Sequence, residues 1–205
     1  MTVSIDPKTL APEEAYKLVI GSVVPRPIAW VTSRNAKGAV NLAPFSAFMF
    51  VSPKPPLMAI SVGHKAGVYK DTATNILQRE DYVIHIANMA MIEPLHLSSI
   101  EHPPDVSEVE ELGLATVPSS LVATPRLRDA PIALECRFRQ CLEFGHTKSR
   151  LIVGEVVMFH IRDDIIKDGK IDTKALDPIC RLGGPRYAGL GEIVTMQPVE
   201  QTAKS

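Results

Sequence analysis

The 205-residue sequence is poor in the features that mark several classes of protein. Its formal charge is -1 with no block of like charge, so nothing predicts a surface for nucleic acid or anionic membranes. No apolar run approaches the roughly 20 residues of a membrane span, and the N-terminus lacks the basic start and apolar core of a secretory signal. The three cysteines, Cys136, Cys141 and Cys180, form no disulfide framework, which predicts a reducing, cytoplasmic location.

The sequence also lacks the short motifs of many catalytic and metal sites. It has no Gly-x-Gly-x-x-Gly after a predicted strand, no Gly-x-Ser-x-Gly, no His-Glu-x-x-His and no Cys-x-x-Cys. Cys180 lies next to Arg181 but has no evident base. His85 and His160 stand alone on predicted strands, which is typical of buried, hydrogen-bonded histidines. We therefore predict no metal site, and we expect any enzymatic chemistry to come from a bound cofactor.

What the sequence does contain is a succession of short strands with helices between some of them. Strands are predicted near residues 27–34, 39–42, 44–51, 56–63, 82–87, 131–144 and 151–162, the last two as a long hairpin. Helices are predicted over residues 11–19, 70–79, 89–100 and 107–111, with Asp71 or Thr72 capping the second. This order predicts a mainly β fold with peripheral helices. We expect a closed or nearly closed antiparallel barrel, in a single domain over residues 1–205.

Small polar side chains gather near the ends of the first two predicted strands. Apolar strand faces suit a flat ligand, and the side chains placed to bond its polar edge are Thr32, Ser33, Asn41 and Ser46. Trp30 has two open interpretations, a core side chain or one that packs beside a planar ligand. Arg26, held stiffly between two prolines, is a candidate for either a ligand contact or a surface ion pair.

A second candidate region is the start of the helix predicted over residues 70–79. The strand end at Ser61 opens into a glycine-containing basic loop with Lys65, and Lys70 and Thr72 begin the helix. Free N–H groups at a helix start favour an anion such as phosphate, to which the hydroxyls would donate hydrogen bonds and the lysines supply charge. The alternative is an ordinary capped helix with solvated lysines.

Three motifs together resemble a known family. The first is Pro25-Arg26-Pro27-Ile28-Ala29-Trp30-Val31-Thr32, followed by Gly38 and by Asn41-Leu42-Ala43-Pro44-Phe45-Ser46. The second is Lys70-Asp71-Thr72 with Asn75-Ile76, and the third is Arg181-Leu182-Gly183-Gly184-Pro185-Arg186-Tyr187. The combination resembles the flavin reductase-like, FMN-binding split-barrel proteins, and within them the flavoredoxin-type branch. The resemblance covers about residues 12–195.

The resemblance implies a homodimeric, six-stranded antiparallel Greek-key barrel with FMN near the subunit interface. It places the flavin ring and ribityl chain along Ile28, Ala29, Trp30, Val31, Thr32, Asn41, Leu42, Ala43 and Ser46. It places the phosphate against Ser61, Lys70, Asp71, Thr72 and Asn75. Charge and position add Lys65 and Arg26, and the segment 181–187, which begins with Arg181, is expected to close the site.

The resemblance also implies a flavoprotein oxidoreductase. NADH or NADPH would reduce bound FMN, which would then reduce free flavin or another small-molecule or protein acceptor. No side-chain acid or base is obligatory for hydride transfer between two stacked rings. Two alternatives stay open: a flavoredoxin-like electron carrier with a protein partner, and a non-catalytic flavin- or haem-binding module.

Overall fold

The computed structural model describes residues 1–65 and 67–199, and it is built around one large antiparallel sheet. The strands of this sheet are Ala29–Arg34 (β1), Val40–Phe45 (β2), Phe48–Pro53 (β3), Pro56–Val62 (β4), Asp81–Ile86 (β5), Ile132–Phe144 (β6) and Ser149–Ile161 (β7). Their order across the sheet is β2-β1-β5-β6-β7-β4-β3.

Helices and short strands surround this sheet. Within the described residues the α-helices are Pro12–Ser22 (α1), Asp71–Arg79 (α2), Ile92–Leu97 (α3), Glu108–Glu111 (α4) and Thr173–Leu176 (α5). Short 3-10 helices span Pro7–Thr9, Met89–Met91 and Asp163–Ile165. Two-residue strands occupy Arg26–Pro27, His64–Lys65, Val68–Tyr69, Thr116–Val117, Arg126–Leu127, Ile166–Lys167, Lys170–Ile171, Cys180–Arg181 and Tyr187–Ala188. No helix in this part of the chain is long and apolar enough to cross a membrane.

The large sheet curls into an almost closed barrel. Its two edge strands, β2 and β3, follow each other in the chain and are joined by Ser46 and Ala47 alone. Two residues span only a few ångströms, so the two edges meet at this corner. The expected mainly β split-barrel fold is confirmed. The sheet has seven strands where the resemblance implied six, because residues 40–53 supply one strand to each edge.

Strand β1 is buried on both faces, so its side chains pack into two different apolar clusters. Ala29 and Val31 pack inside the barrel, in an apolar cluster with Ile60, Tyr82 and Ile84. Trp30, in contrast, packs on the outer face with Leu42, Leu95 and Leu127, under α3 and its neighbours. Successive side chains of a strand point to opposite faces, and here both faces are covered.

The barrel interior has room for the ring of Tyr82 because Gly154, which lies opposite, has no side chain. The fully buried Tyr82 of β5 lies against Gly154 of β7, where an added Cβ would overlap the tyrosine hydroxyl. The hydroxyl itself finds no hydrogen-bond partner in the described structure. Burial raises the pKa of Tyr82 well above its usual value. The group stays neutral and serves as a bulky core side chain.

Several predicted boundaries needed correction. Strand β2 continues through Pro44. Proline has no backbone N–H to donate, which an edge strand allows because one of its sides has no neighbouring strand to bond. The helix predicted over residues 89–100 is a 3-10 turn followed by the shorter α3. The predicted side-chain cap of α2 was wrong: Lys70 occupies the N-cap position with extended backbone, and no side chain that the structure describes caps the helix.

Candidate functional site

Two adjoining cavities open where β2, α2 and the C-terminal segment meet. The inner cavity has a volume of about 260 Å³ and is lined by Asn41, Ala43, Pro44, Val68, Tyr69, Lys70, Asp71, Thr72, Ser98, Ser99, Ile100, Glu101, His102, Pro104 and Glu108. The outer cavity has a volume of about 370 Å³ and is lined by Tyr16, Ile20, Arg26, Ile28, Pro44, Ser46, Lys70, Ser99, Arg181, Gly184 and Tyr187. They share Pro44, Lys70 and Ser99, so we treat them as one cleft.

The start of α2 forms one wall of the inner cavity. No described side chain caps this helix. The N–H groups of Ala73 and Thr74 bond to the Lys70 carbonyl, which leaves those of Asp71 and Thr72 available to a ligand, and the helix dipole adds partial positive charge. The exposed Lys70 lies at the same point. Asp71 opposes this charge, but burial, followed by the nearby Glu101, raises the pKa of its carboxyl. The helix start is therefore suited to an anion, with one acidic side chain beside it.

A chain of polar side chains fixes α2 against the barrel. Asn41 of β2 donates through Nδ2 to the Thr72 hydroxyl at 2.9 Å. One turn further along the helix, the buried Asn75 donates to the Ser33 hydroxyl of β1 at 3.2 Å. Buried polar groups of this kind must be paired, and these pairs lock the helix start in one orientation.

Arg26 connects the elements that form the outer cavity. Its guanidinium donates to the carbonyl oxygens of Ile20 and Val23 at the end of α1 and to that of Leu182 in the C-terminal segment. Its Nε also donates to the Ser46 hydroxyl at 3.3 Å, at the corner between β2 and β3. One side chain thus holds a helix, a barrel corner and the C-terminal segment in place.

Residues 180–188, here called the strap, form the outer wall of the cleft. Cys180–Arg181 pairs on one side with Arg26–Pro27 and on the other with Tyr187–Ala188, which makes a small three-stranded sheet. The turn between the two strap strands is closed by a bond from Leu182 N–H to the Arg186 carbonyl at 3.0 Å, and Gly184 in it adopts a φ of 63°. A positive φ of this kind favours glycine.

The structure brings many of the predicted site residues to the cleft. Those lining the inner cavity are Asn41, Ala43, Lys70, Asp71 and Thr72. Those lining the outer cavity are Arg26, Ile28, Ser46, Lys70 and Arg181. The two sequence regions, residues 26–46 and 70–72, therefore share one site. The strap joins them from the far end of the chain.

The side chains of five predicted residues point away from the cleft. Ala29 and Val31 are inside the barrel, and Leu42 is fully buried in the outer apolar cluster. Trp30 is fully buried and donates through Nε1 to the Ser98 hydroxyl at 2.8 Å, so the core interpretation is the correct one. Thr32 is equally buried and donates to the Pro125 carbonyl at 2.8 Å.

Three further predicted residues lie at the margin of the site. Ser61 pairs with Leu151 in the barrel ladder and lines neither cavity. Asn75 lies behind the cleft wall, on Ser33. Lys65 belongs by its backbone to the short strand His64–Lys65, and its side chain falls outside the described part of the structure.

Other residues that line the cleft were not predicted from the sequence. Tyr16 and Ile20 come from α1, and Ser99 and His102 from the loop that follows α3. Glu108 at the start of α4 accepts a hydrogen bond from the Leu42 N–H at 2.9 Å, and burial raises the pKa of its carboxyl. None of these positions carries a local motif, because tertiary packing alone brings them to the cleft.

The chain belongs to the family described as the flavin reductase like domain, whose model matches residues 20–173. Among relatives, an uncharacterised protein of Halalkalibacterium halodurans is 40% identical over 95% of each chain. The family assignment made from the three motifs is therefore confirmed.

Solved structures agree with this assignment. Nitrilotriacetate monooxygenase component B from Bacillus cereus superposes with a TM-score of 0.93 at 34% identity, over 96% of this chain and 99% of that one. The 2-nitrobenzoate 2-nitroreductase of Pseudomonas fluorescens gives 0.87 at 34% identity, over 95% of each. Flavoredoxin of Desulfovibrio vulgaris shares the fold, with a TM-score of 0.75 at 21% identity over 96% of this chain and 97% of that one.

Proposed function

We propose that the protein is an FMN-dependent oxidoreductase that takes electrons from NADH or NADPH and passes them to free flavin or another acceptor. Family membership supports a flavin-linked role. The monooxygenase component and the nitroreductase, both 34% identical along nearly their whole length, are redox proteins by name and support the reaction class. The observation that carries the proposal is the cleft itself, in which an uncapped helix start lies next to an apolar slot edged with polar groups.

The cleft fits FMN in size and in chemistry. The inner cavity, at about 260 Å³, lies just below the usual range of ligand pockets, whereas the two joined cavities lie within it. Lys70 and the first amide groups of α2 would hold the phosphate. Ile28, Ala43 and Pro44 offer apolar contact to the ring, while the polar groups that would meet its edge are Asn41, Ser46 and Arg26.

When bound, FMN supplies the two-electron redox chemistry that no side chain of the protein provides. The protein's residues bind and orient it. The pair formed by Asn41 and Thr72 keeps the helix start facing the cavity. Arg26 keeps the strap against the barrel, which limits the entry of water from the outer side.

The first experiment is to identify the ligand that copurifies with the untreated protein, by absorbance and mass analysis. We expect a flavin spectrum and the mass of FMN. Titration of the apoprotein should then show tighter binding of FMN than of riboflavin, because riboflavin has no phosphate for the helix start. A protein that binds neither flavin would refute the proposal. A Soret band would instead favour a haem-binding module.

Turnover separates the enzyme from the two alternatives. Steady-state oxidation of NADH and NADPH, with added FMN as acceptor, should proceed catalytically. Stoichiometric bound FMN without turnover on either nicotinamide would favour the flavoredoxin-like carrier or the non-catalytic module. The measurement requires only purified protein and a defined flavin content.

We also propose a homodimer. The edge strand β3 exposes Met49 and Phe50 by 59% and 61%, and α1 has no buried residue although it carries Tyr16, Leu18 and Val19. Exposed apolar patches of this kind mark association surfaces. Light scattering should give twice the 22.4 kDa chain mass. A monomer at all concentrations tested would contradict the proposal.

A further inference from the structure

The outer cavity has two different walls. Ile28, Pro44 and Ser46 belong to the barrel, whereas Arg181 and Tyr187 belong to the strap. If the flavin ring lies against the apolar barrel wall, as the proposed function requires, the strap is left to contact whatever molecule reacts with the ring. The chemistry of the strap then determines which molecules are accepted.

The outer cavity carries positive charge that no ion pair within the described residues neutralises. Arg181 lies directly opposite Arg26 in the small sheet, so both side chains project from the same face. Lys70 lines the same cavity. Among the described residues, none of these three cations forms an ion pair with a carboxylate. Like charges at opposed strand positions are destabilising, and an anion in the cavity would relieve this repulsion.

Arg181 is also held in a defined orientation. Its guanidinium donates to the Tyr187 hydroxyl, its cross-strand neighbour, and lies 4.5 Å from the centre of the tyrosine ring. The hydroxyl in turn is 3.0 Å from Nδ1 of His96 on α3. Arg26 differs, since carbonyl oxygens and the Ser46 hydroxyl already accept from its guanidinium. Arg181 is therefore the arginine better placed to bind a ligand.

We infer that Arg181 selects a second substrate that carries an anionic group, a carboxylate or a phosphate, and binds that group at the strap wall. The inference rests on the proposed function, because it assigns the strap to the partner molecule of the flavin. Tyr187 acts as a positioning residue for the guanidinium. The anion has two possible sources: the diphosphate of the nicotinamide donor, or a carboxylate on the acceptor.

Equilibrium binding tests the charge preference without turnover. FMN-loaded protein is titrated in a calorimeter with benzoate and with the neutral benzyl alcohol. In Arg181→Met, loss of a charge-assisted hydrogen bond should weaken benzoate about 10- to 100-fold and leave benzyl alcohol unchanged. Arg181→Lys should restore part of the affinity. Arg128→Met, which removes an arginine outside the cleft, should bind both probes like wild type.

The two sources of the anion are distinguished by a second pair of titrations. If the donor's diphosphate is bound, the dissociation constant for NAD⁺ should rise in Arg181→Met by more than that for benzoate. If an acceptor carboxylate is bound, benzoate should be the more affected. The inference is overturned if neither probe changes, or if benzyl alcohol weakens as much as benzoate.

FMN affinity provides the remaining control. The affinity for FMN should be the same in wild type and in Arg181→Met, and so should the affinity for riboflavin. If FMN but not riboflavin weakens in the variant, Arg181 belongs to the cofactor's phosphate site and the inference is wrong. Failure of the proposed function would show itself separately, as wild-type protein that binds no FMN. Tyr187→Phe should shift the benzoate constant in the same direction as Arg181→Met, and by less.

Discussion

Two cavities of this protein are rich in basic residues, and they differ in how the charge is compensated. The second basic cavity, of about 630 Å³, is lined by the acidic Asp129, by four apolar residues and by the basic residues Arg126, Arg128, Arg162 and His160. Arg128 and Arg162 pair with neighbouring aspartates, and His160 bonds to Glu135. Within the described part of the chain, the three cations of the outer cavity, Arg26, Lys70 and Arg181, form no such pairs.

The two cavities therefore differ in the role of their basic residues, which are bound mainly within the protein in the second cavity and are available to a ligand in the cleft. In the second basic cavity Arg128, Arg162 and His160 have acidic partners from the chain itself, so most of the charge is compensated without an anion. The exception is Arg126, which forms no ion pair among the described residues and whose buried Nε has no hydrogen-bond partner there. In the cleft, Arg26 is bound by carbonyl oxygens and Arg181 by a tyrosine, and neither contact cancels the charge. This contrast predicts losses of stability at the second basic cavity and losses of ligand affinity at the cleft.

Removing the carboxylate that binds His160 of the second cavity should cost the most stability. Glu135 is fully buried and accepts from His160 and from the backbone N–H groups of Ser120, Leu121 and Val122. Glu135→Ala leaves four donors without an acceptor and should lower the free energy of unfolding by about 3–5 kcal/mol. Urea denaturation measures this loss. FMN affinity of the remaining folded protein should be unchanged; a matching loss of affinity would contradict the separation.

Acid should destabilise the same side of the barrel through His85. This fully buried histidine donates to the Trp30 carbonyl and accepts from the Leu127 N–H, both at 2.9 Å. Burial, only partly opposed by the Trp30 hydrogen bond, lowers its pKa from 6.5 to about 4. The folded state therefore holds it neutral, and stability that is complete above pH 6.5 is lost as the pH falls towards 4. The expected contribution is about 3 kcal/mol.

Chemical denaturation at a series of pH values between 7 and 4 measures this loss. Replacement of the exposed His146 by glutamine provides the control and should leave the profile unchanged. The prediction for His85 would be wrong if His85→Gln, once folded, showed the wild-type slope of stability against pH in this window.

In the cleft, removal of one cation should affect binding while stability changes little. Lys70 is exposed and lies at the uncapped start of α2. Lys70→Met should weaken FMN by about 1.5–3 kcal/mol through loss of a charge-assisted bond to the phosphate. Riboflavin should bind as to wild type. Fluorescence titration of the apoprotein gives both constants, and an equal loss for riboflavin would place the lysine elsewhere than at the phosphate.

The smallest effect is expected at Arg128. Its partner Asp129 is the adjacent residue, and both side chains are about 60% exposed. Solvent screens such pairs, so Arg128→Met should change neither the unfolding midpoint nor FMN affinity measurably. A clear loss of ligand affinity in this variant would remove the contrast between the two cavities.

Of the residues predicted for the site, the polar ones line the cleft more often than the apolar ones. Arg26, Asn41, Ser46, Lys70 and Thr72 reach the cleft as expected. The strand residues 29–32 do not, because β1 is covered on both faces and its side chains alternate between two cores. A run of buried residues on a strand cannot be told from a ligand-lining face until its covering layers are known.

By itself, the sequence determined the barrel class and the family, because alternating strands, turn residues and three local motifs are properties of short segments. It also determined that α2 begins near Lys70, although the absent cap was not foreseen. Tertiary structure alone decided that the strap faces α1 and the barrel corner, and that Arg181 stands opposite Arg26. Those contacts join residues more than 150 positions apart, and only the packing of the whole chain sets which of them meet.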